Sequence, residues 1–394
     1  MSTPTTYTYT QAADIAYDRV LALYSSGAFA GKSDEFWLTG NTLRTVIFYM
    51  LAAGLTDAEK SFIVNALKYF VGTVPLDADD TTLDNLSEGT IWLDDFGWWA
   101  IAFLLAAWNN DRLGLDATTR SQLITNAEHC WKIMTSGWDT TTPISDNSPV
   151  PGGVWNTRDT SFFLSGRNCV TNEVFWLASQ RLAAILNDQS YLTPDARTFF
   201  ADARAQNLLF VSKSATPPVY LVRERFDEVD NGFEVEVPGW FWAGDQGLSV
   251  ALYQPTEDRD LIGMEVLKTM TDSAGVLHDR VSPVPGFERD YATGKGVLLD
   301  HFAFLIDAQY PPAWQPQALQ FMETNAKAVW NNRREADDQF LFNWNPNGTG
   351  PSYGGEPKDD LLGDPADQLV LQVAGLSALI LGMRLAPNTI IPPL

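Results

Sequence analysis

The sequence predicts an all-α fold in which six antiparallel helical pairs close into a ring, with long loops and a small β-hairpin over one face. Three observations carry this. Apolar residues recur at i, i+3, i+4 and i+7 in twelve segments, with few strand-like runs between them. The links alternate in length: even helices pass to their successors through short turns such as "GLT" at 54–56 and "QPTED" at 254–258. Odd helices are mostly followed by long loops, at 73–94, 137–170, 213–244, 274–294 and 332–365. In a ring of antiparallel helices this alternation gathers the long loops and the starts of the even helices on one face, where function is expected.

In order, the predicted helices span 10–26, 41–54, 57–72, 95–108, 117–136, 171–187, 193–212, 245–254, 257–273, 295–309, 314–331 and 366–384. Each even helix opens on a polar or Gly-containing signature: "LTGNT" at 38–42, "LDDFG" at 93–97, "CVTNE" at 169–173, "AGDQG" at 243–247, "ATGKG" at 292–296 and "DPADQ" at 364–368. The odd helices open on ordinary caps such as "TDAEK", "DATTR" and "TPDAR". Taken singly, the even signatures also read as caps; their regular placement sets them apart. Between the helices, "PVYLVRERFDEVDNGFEVEVPGWFW" at 218–242 alternates apolar and polar residues around Asp230-Asn231-Gly232, the pattern of a β-hairpin.

A chain of 394 residues exceeds the usual single core and must be two domains or one large closed architecture. Gly and Pro are scattered rather than gathered in a linker, which points to a single domain over 1–394. The net charge of −23 repels nucleic acid and anionic membrane, so a neutral or cationic partner, or a metal-assisted anion, is expected. Two cysteines and three histidines carry neither a disulfide framework nor zinc spacing. The amino terminus lacks the basic start and apolar core of a secretory signal, which reads as a cytosolic chain or a trimmed secreted one. No apolar stretch is expected to reach membrane-spanning length or to insert in a membrane. The oligomeric state stays open.

The chemistry concentrates in "IWLDDFGWWAIAFLLAAW" at 91–108. Asp94 and Asp95 are neighbouring acids at a helix start. The helix amino terminus favours an ionised carboxylate and each negative charge raises the pKa of the other, the split that an acid and a nucleophile require. Retaining glycoside hydrolysis uses such a pair about 5–5.5 Å apart. Trp92, Trp98 and Trp99 suit the apolar faces of a sugar ring. The plainer alternative makes Asp94 an N-cap, Asp95 a first-turn acid and the tryptophans core.

This stretch resembles the signature of glycoside hydrolase family 76, the endo-α-1,6-mannanases. The resemblance continues in order through "FWLTGNTLRTV" at 36–46, "PGGVWN" at 151–156, "GRNCVTNEVFWLASQRL" at 166–182, "AGDQGLSVALY" at 243–253, "GKGVLLDHFAFL" at 294–305, "NAKAVWNNR" at 325–333 and "DQLVLQVAGLSAL" at 367–379. It implies an (α/α)6 barrel, retaining cleavage of α-mannosides with Asp94 as nucleophile and Asp95 as acid/base, a neutral glycan as partner, and no cofactor. Substrate contacts are expected from Trp92, Trp98, Trp99, Trp155, Asn172, Asp245, Gln246 and Lys295. Two positions depart from the family pattern: Asn156 stands where a second tryptophan is usual after the Gly-Gly, and Asp245 where asparagine is usual.

Two other readings use the same barrel. A Mg²⁺-dependent terpene cyclase would hold metal on Asp94, Asp95 and Asp245, and diphosphate on Lys295, Arg158 or Arg167. Asp94-Asp95-Phe96-Gly97-Trp98 lacks the third acid of Asp-Asp-x-x-Asp, however, and "LDADD" at 76–80 reads as a solvated loop. A non-catalytic glycan-binding relative would keep the carboxylates without turnover.

Overall fold

A computed structural model of the chain describes residues 6–25, 36–54, 57–78, 82–83, 91–141, 152–159, 166–206, 209–212, 219–225, 241–253, 257–279, 288–346, 348 and 364–392. Twelve α-helices lie among them. They fall into two compact units, one formed by Gly31–Phe241 and one by Met1–Ala30 with Trp242–Leu394.

The Gly31–Phe241 unit holds α2 (Phe36–Ala53), α3 (Asp57–Thr73), α4 (Leu93–Trp108), α5 (Ala117–Thr135), α6 (Cys169–Leu186) and α7 (Arg197–Ala205). Helix α4 is its centre, packed against α2, α5 and α6. Residues 95–107 of α4 are buried without interruption, as a helix apolar on all sides must be, whereas Trp108 at its end is 61% exposed. α5 is amphipathic and capped by Asp116, whose side chain accepts from the Thr119 amide at 2.7 Å.

Gly97 explains how closely α4 meets α6. A Cβ at residue 97 would lie 2.3 Å from Cγ2 of the fully buried Val174. A β-branched side chain in a helix has one favoured χ1 and cannot swing away. Gly97→Ala should therefore cost about 1–3 kcal/mol of stability by overpacking. Urea denaturation checks this; an unchanged midpoint would show that the two helices separate freely.

The sequence reading carries helix 193–212 too far. The helix ends at Ala205, and Phe210–Ser212 forms a strand, β1, paired antiparallel with β2 (Val219–Val222). Val219–Val222 of the expected hairpin is a strand, and among the described residues it pairs with the segment upstream of it, where aromatic and β-branched residues favour extended backbone. The Asp230-Asn231-Gly232 turn lies outside the described residues.

The other unit holds α1 (Tyr9–Leu23), α8 (Ala243–Leu252), α9 (Glu257–Thr269), α10 (Glu288–Phe302), α11 (Gln315–Asn331) and α12 (Pro365–Leu385). α12 packs against α1, α10 and α11, and α10 also packs against α8. A capping box of Thr8 and Gln11 starts α1, and the Ile391 amide donates to Tyr7 O at 2.8 Å, tying the first helix to the end of the described chain. α12 corrects the expectation that no stretch reaches membrane-spanning length. Its 21 residues are long and apolar enough, but 83% of its most apolar 18-residue window is buried inside the protein, where its neighbours take the place that lipid would hold.

Candidate active site

α4 begins two residues earlier than its apolar pattern indicates. Trp92 is the N-cap and makes no side-chain capping bond, so Asp94 and Asp95 occupy the second and third helical positions. This excludes Asp94 as the cap. The first amide of the helix is satisfied from a loop instead: Leu93 N–H donates to Asn156 O at 2.7 Å, and Trp92 forms an isolated antiparallel bridge with Thr157. Both carboxyls thus sit in the first turn, where the helix dipole favours negative charge. Asp94 is partly exposed, and Asp95 is buried at 6% exposure.

α6 brings the next groups. Its N-cap, Asn168, accepts from the Thr171 amide at 3.2 Å and bridges Arg225, while the Cys169 amide donates to Glu224 O at 2.6 Å. Burial pushes the Asp94 carboxyl up to about 6. Its own backbone amide, the Thr171 side chain and the Arg225 charge oppose this, and the Glu224 charge adds to it. The Thr171 contact is a loose one, since its buried hydroxyl makes no hydrogen bond of regular geometry. Sequence reasoning missed Thr171 and Arg225. "CVTNE" marked the first only as part of a helix start, and nothing in the pattern of "RERF" announces the second.

The loop at 152–157 is held against α6 by Asn172. Val154 N–H donates to Asn172 Oδ1 at 2.8 Å, and Asn172 Nδ2 donates to Val154 O at 3.0 Å and Asn168 O at 2.9 Å. Gly153 serves the same fit. Its φ of 113° lies where L side chains are strained, and a Cβ there would meet the Phe199 ring at 2.6 Å. Asn172 is fully buried and engaged by backbone, which corrects its expected role as a ligand for sugar hydroxyls. Asn172→Ala should cost about 3 kcal/mol, because both Val154 polar groups lose their partner out of reach of water. A thermal shift of less than about 2 °C would contradict this.

The tryptophans divide. Trp99 is core: fully buried, it donates from Nε1 to Phe36 O at 2.9 Å and packs its ring against Phe36, Phe70 and Phe103. Trp98 is 2% exposed with the Arg44 guanidinium 5.4 Å from its ring centroid. Neither is placed to stack on a sugar, which corrects that expectation. Trp92 and Trp155 are partly exposed. Trp155 is also fixed in orientation, with Nε1 donating to Asp139 at 2.9 Å and Arg167 5.4 Å from its ring centroid. Arg167 and Arg158 are engaged structurally, Arg167 with Gly152 O at 3.2 Å and Arg158 with Ser136 Oγ at 2.8 Å, and do not form the diphosphate cradle that a cyclase needs.

Asp245, Gln246 and Lys295 belong to the other unit. Asp245 and Gln246 lie in the first turn of α8 and are fully buried; Gln246 Nε2 donates to Trp242 O at 3.0 Å. Lys295 is 3% exposed, donates to Phe342 O at 2.6 Å and lies 4.3 and 4.9 Å from the Phe342 and Trp344 ring centroids. Burial lowers its ammonium to about 8 against the opposing charges of Asp279 and Asp272. None of these side chains reaches solvent enough to touch a sugar in this conformation, a correction to their expected role.

The sequence profile of glycosyl hydrolase family 76 matches residues 8–363. The chain belongs to glycosyl hydrolase family 76. It is thus a glycosidase, and the terpene cyclase reading is not favoured. Among the solved structures it is similar to the family 76 α-1,6-mannanase of Salegentibacter sp. HEL1_6, with a TM-score of 0.67 and 17% identity over 96% of this chain and 99% of that one. An inactive variant of that family 76 enzyme, with two consecutive aspartates changed to asparagine, is in complex with α-1,6-mannotriose; it matches with a TM-score of 0.66, 17% identity and the same coverage. The family 76 α-mannanase of Bacteroides thetaiotaomicron matches with a TM-score of 0.56 and 16% identity, over 93% of this chain and 95% of that one. At these identities the likeness shows the fold, the all-α six-hairpin architecture expected for family 76. Among curated protein sequences none matches significantly.

Proposed function

We propose that this family 76 glycosidase cleaves α-1,6-mannosidic linkages with retention of configuration, residues 1–394 serving as one catalytic domain. The observation that carries the reading is the placement of Asp94 and Asp95 together in the first turn of α4, a turn whose cap is not a side chain. Two consecutive aspartates replaced in an inactive mannanase of similar fold support it.

Asp94 attacks the anomeric carbon while Asp95 gives its proton to the leaving glycosidic oxygen. Water then attacks the anomeric carbon as Asp95 takes its proton, which breaks the bond to Asp94 and releases the sugar. Arg225 and Thr171 favour the ionised Asp94 that attack requires. Trp92, at the cap of α4, and Trp155, next to Asn156, are partly exposed and position the sugar. A neutral glycan suits a chain of charge −23, and the two steps consume only water, with no cofactor invoked.

The test is incubation with α-1,6-mannotetraose in the presence of a chelator. The expected result is steady release of shorter mannooligosaccharides. Binding of the tetrasaccharide without turnover would overturn the proposal in favour of a non-catalytic relative.

A further inference from the structure

We propose that Asn156 is a positioning residue for the Asp94–Asp95 pair, joining the helix start that carries the pair to the segment that carries its neighbours. The proposal rests on the reading of these aspartates as the catalytic carboxyls. Asn156 is 1% exposed and bonds in two directions. Toward α4, its carbonyl accepts from the Leu93 amide at 2.7 Å, one residue before Asp94. Toward α6, its amide donates to Gly166 O at 2.7 Å while its side-chain Oδ1 accepts from the Gly166 amide at 2.8 Å.

Residue 166 is thereby gripped through both of its peptide groups. Two residues on, Asn168 caps α6 and bridges Arg225, and Thr171 follows in the first turn. Asp94 therefore depends on Leu93, its neighbours depend on 166–168, and Asn156 is bonded to both. Any residue but proline could supply the two backbone bonds. The side-chain bond to the buried Gly166 amide needs an acceptor of this length, and without it that donor is left unpaired.

A displacement of the pair by a fraction of an ångström affects turnover more than ground-state binding. The removing variant is Asn156→Leu, which keeps the volume, and the conservative one is Asn156→Asp, which keeps the acceptor. On α-1,6-mannotetraose, per folded enzyme, Asn156→Leu should lower kcat by about 10- to 100-fold with KM within about threefold. Its acidic limb in kcat/KM should move to higher pH as Arg225 and Thr171 lose their hold on Asp94. Asn156→Asp should recover kcat to within about fivefold of wild type.

A folded Asn156→Leu with wild-type kcat and an unmoved limb would overturn the proposal, even with a lowered Tm. Equal loss in both variants would overturn it too. If Asn156→Leu does not fold, Asn156→Ser, whose shorter side chain leaves the Gly166 amide without its acceptor, takes its place; a folded Asn156→Ser with wild-type kcat overturns the proposal. Parallel Asp94→Asn and Asp95→Asn enzymes separate the two ideas. If they are inactive while Asn156→Leu is normal, only the positioning role falls. If they are active, the assignment of the pair falls.

Discussion

Asp94→Asn and Asp95→Asn should each lower kcat on α-1,6-mannotetraose by at least about 10³-fold, with the fold intact. The first removes the atom that forms the covalent bond, and the second removes the proton that the leaving oxygen needs. The double variant should be scarcely worse than either single one, because residues that act as a unit do not contribute additively. Removing Asp94 should also stabilise the protein at neutral pH. Its carboxyl is raised from 3.8 to about 6 in the folded state, chiefly by burial. A raised folded value means that the ionised form is held at a cost, fully present above about pH 6 and absent below about pH 4. Asp94→Asn should therefore gain on the order of 1–3 kcal/mol at pH 7.5 and nothing at pH 4. Activity exchanged for stability in this way is the mark of a site kept under strain for function. Differential scanning calorimetry at both pH values checks it, and a destabilised Asp94→Asn at pH 7.5 would show that the carboxylate is structural.

The second large effect is on the acid side of the pH profile. With Asp94 as nucleophile, kcat/KM should fall about tenfold per pH unit below 6, where burial places the protonation of this carboxyl. The retaining mechanism requires the other carboxyl to hold its proton where Asp94 has lost it. An activity that instead peaks below pH 5 and declines through pH 6 would make the value near 6 the alkaline limb and exchange the two roles.

Much of the fold was legible because apolar period and link length are local properties. α4 is the clearest example: an unbroken apolar run behind two acids gives both a buried helix and a functional start. The errors share a cause in long-range partners. The Phe210–Ser212 strand reads as the tail of a helix until Val219–Val222 is known to lie beside it. Asn172 at a helix start fits a sugar ligand as well as a loop brace, and only the bonds to Val154 decide. Trp99 follows the acids closely enough to look like a sugar platform. Its place in the apolar run to Ala107 was the available sign that it faces Phe36 and Phe70 instead. Asn156 looked like a lost stacking surface, and its bonds to Leu93 and Gly166 depend on contacts far apart in sequence.

The most direct test is a crystal structure of the Asp94→Asn, Asp95→Asn double variant with α-1,6-mannotetraose. The account predicts an anomeric carbon about 3–3.5 Å from the side chain of residue 94, with the scissile oxygen in hydrogen-bond reach of residue 95 and a sugar ring on Trp92 or Trp155. A tetrasaccharide bound elsewhere on the protein, with residues 94 and 95 touching none of its atoms, would contradict it.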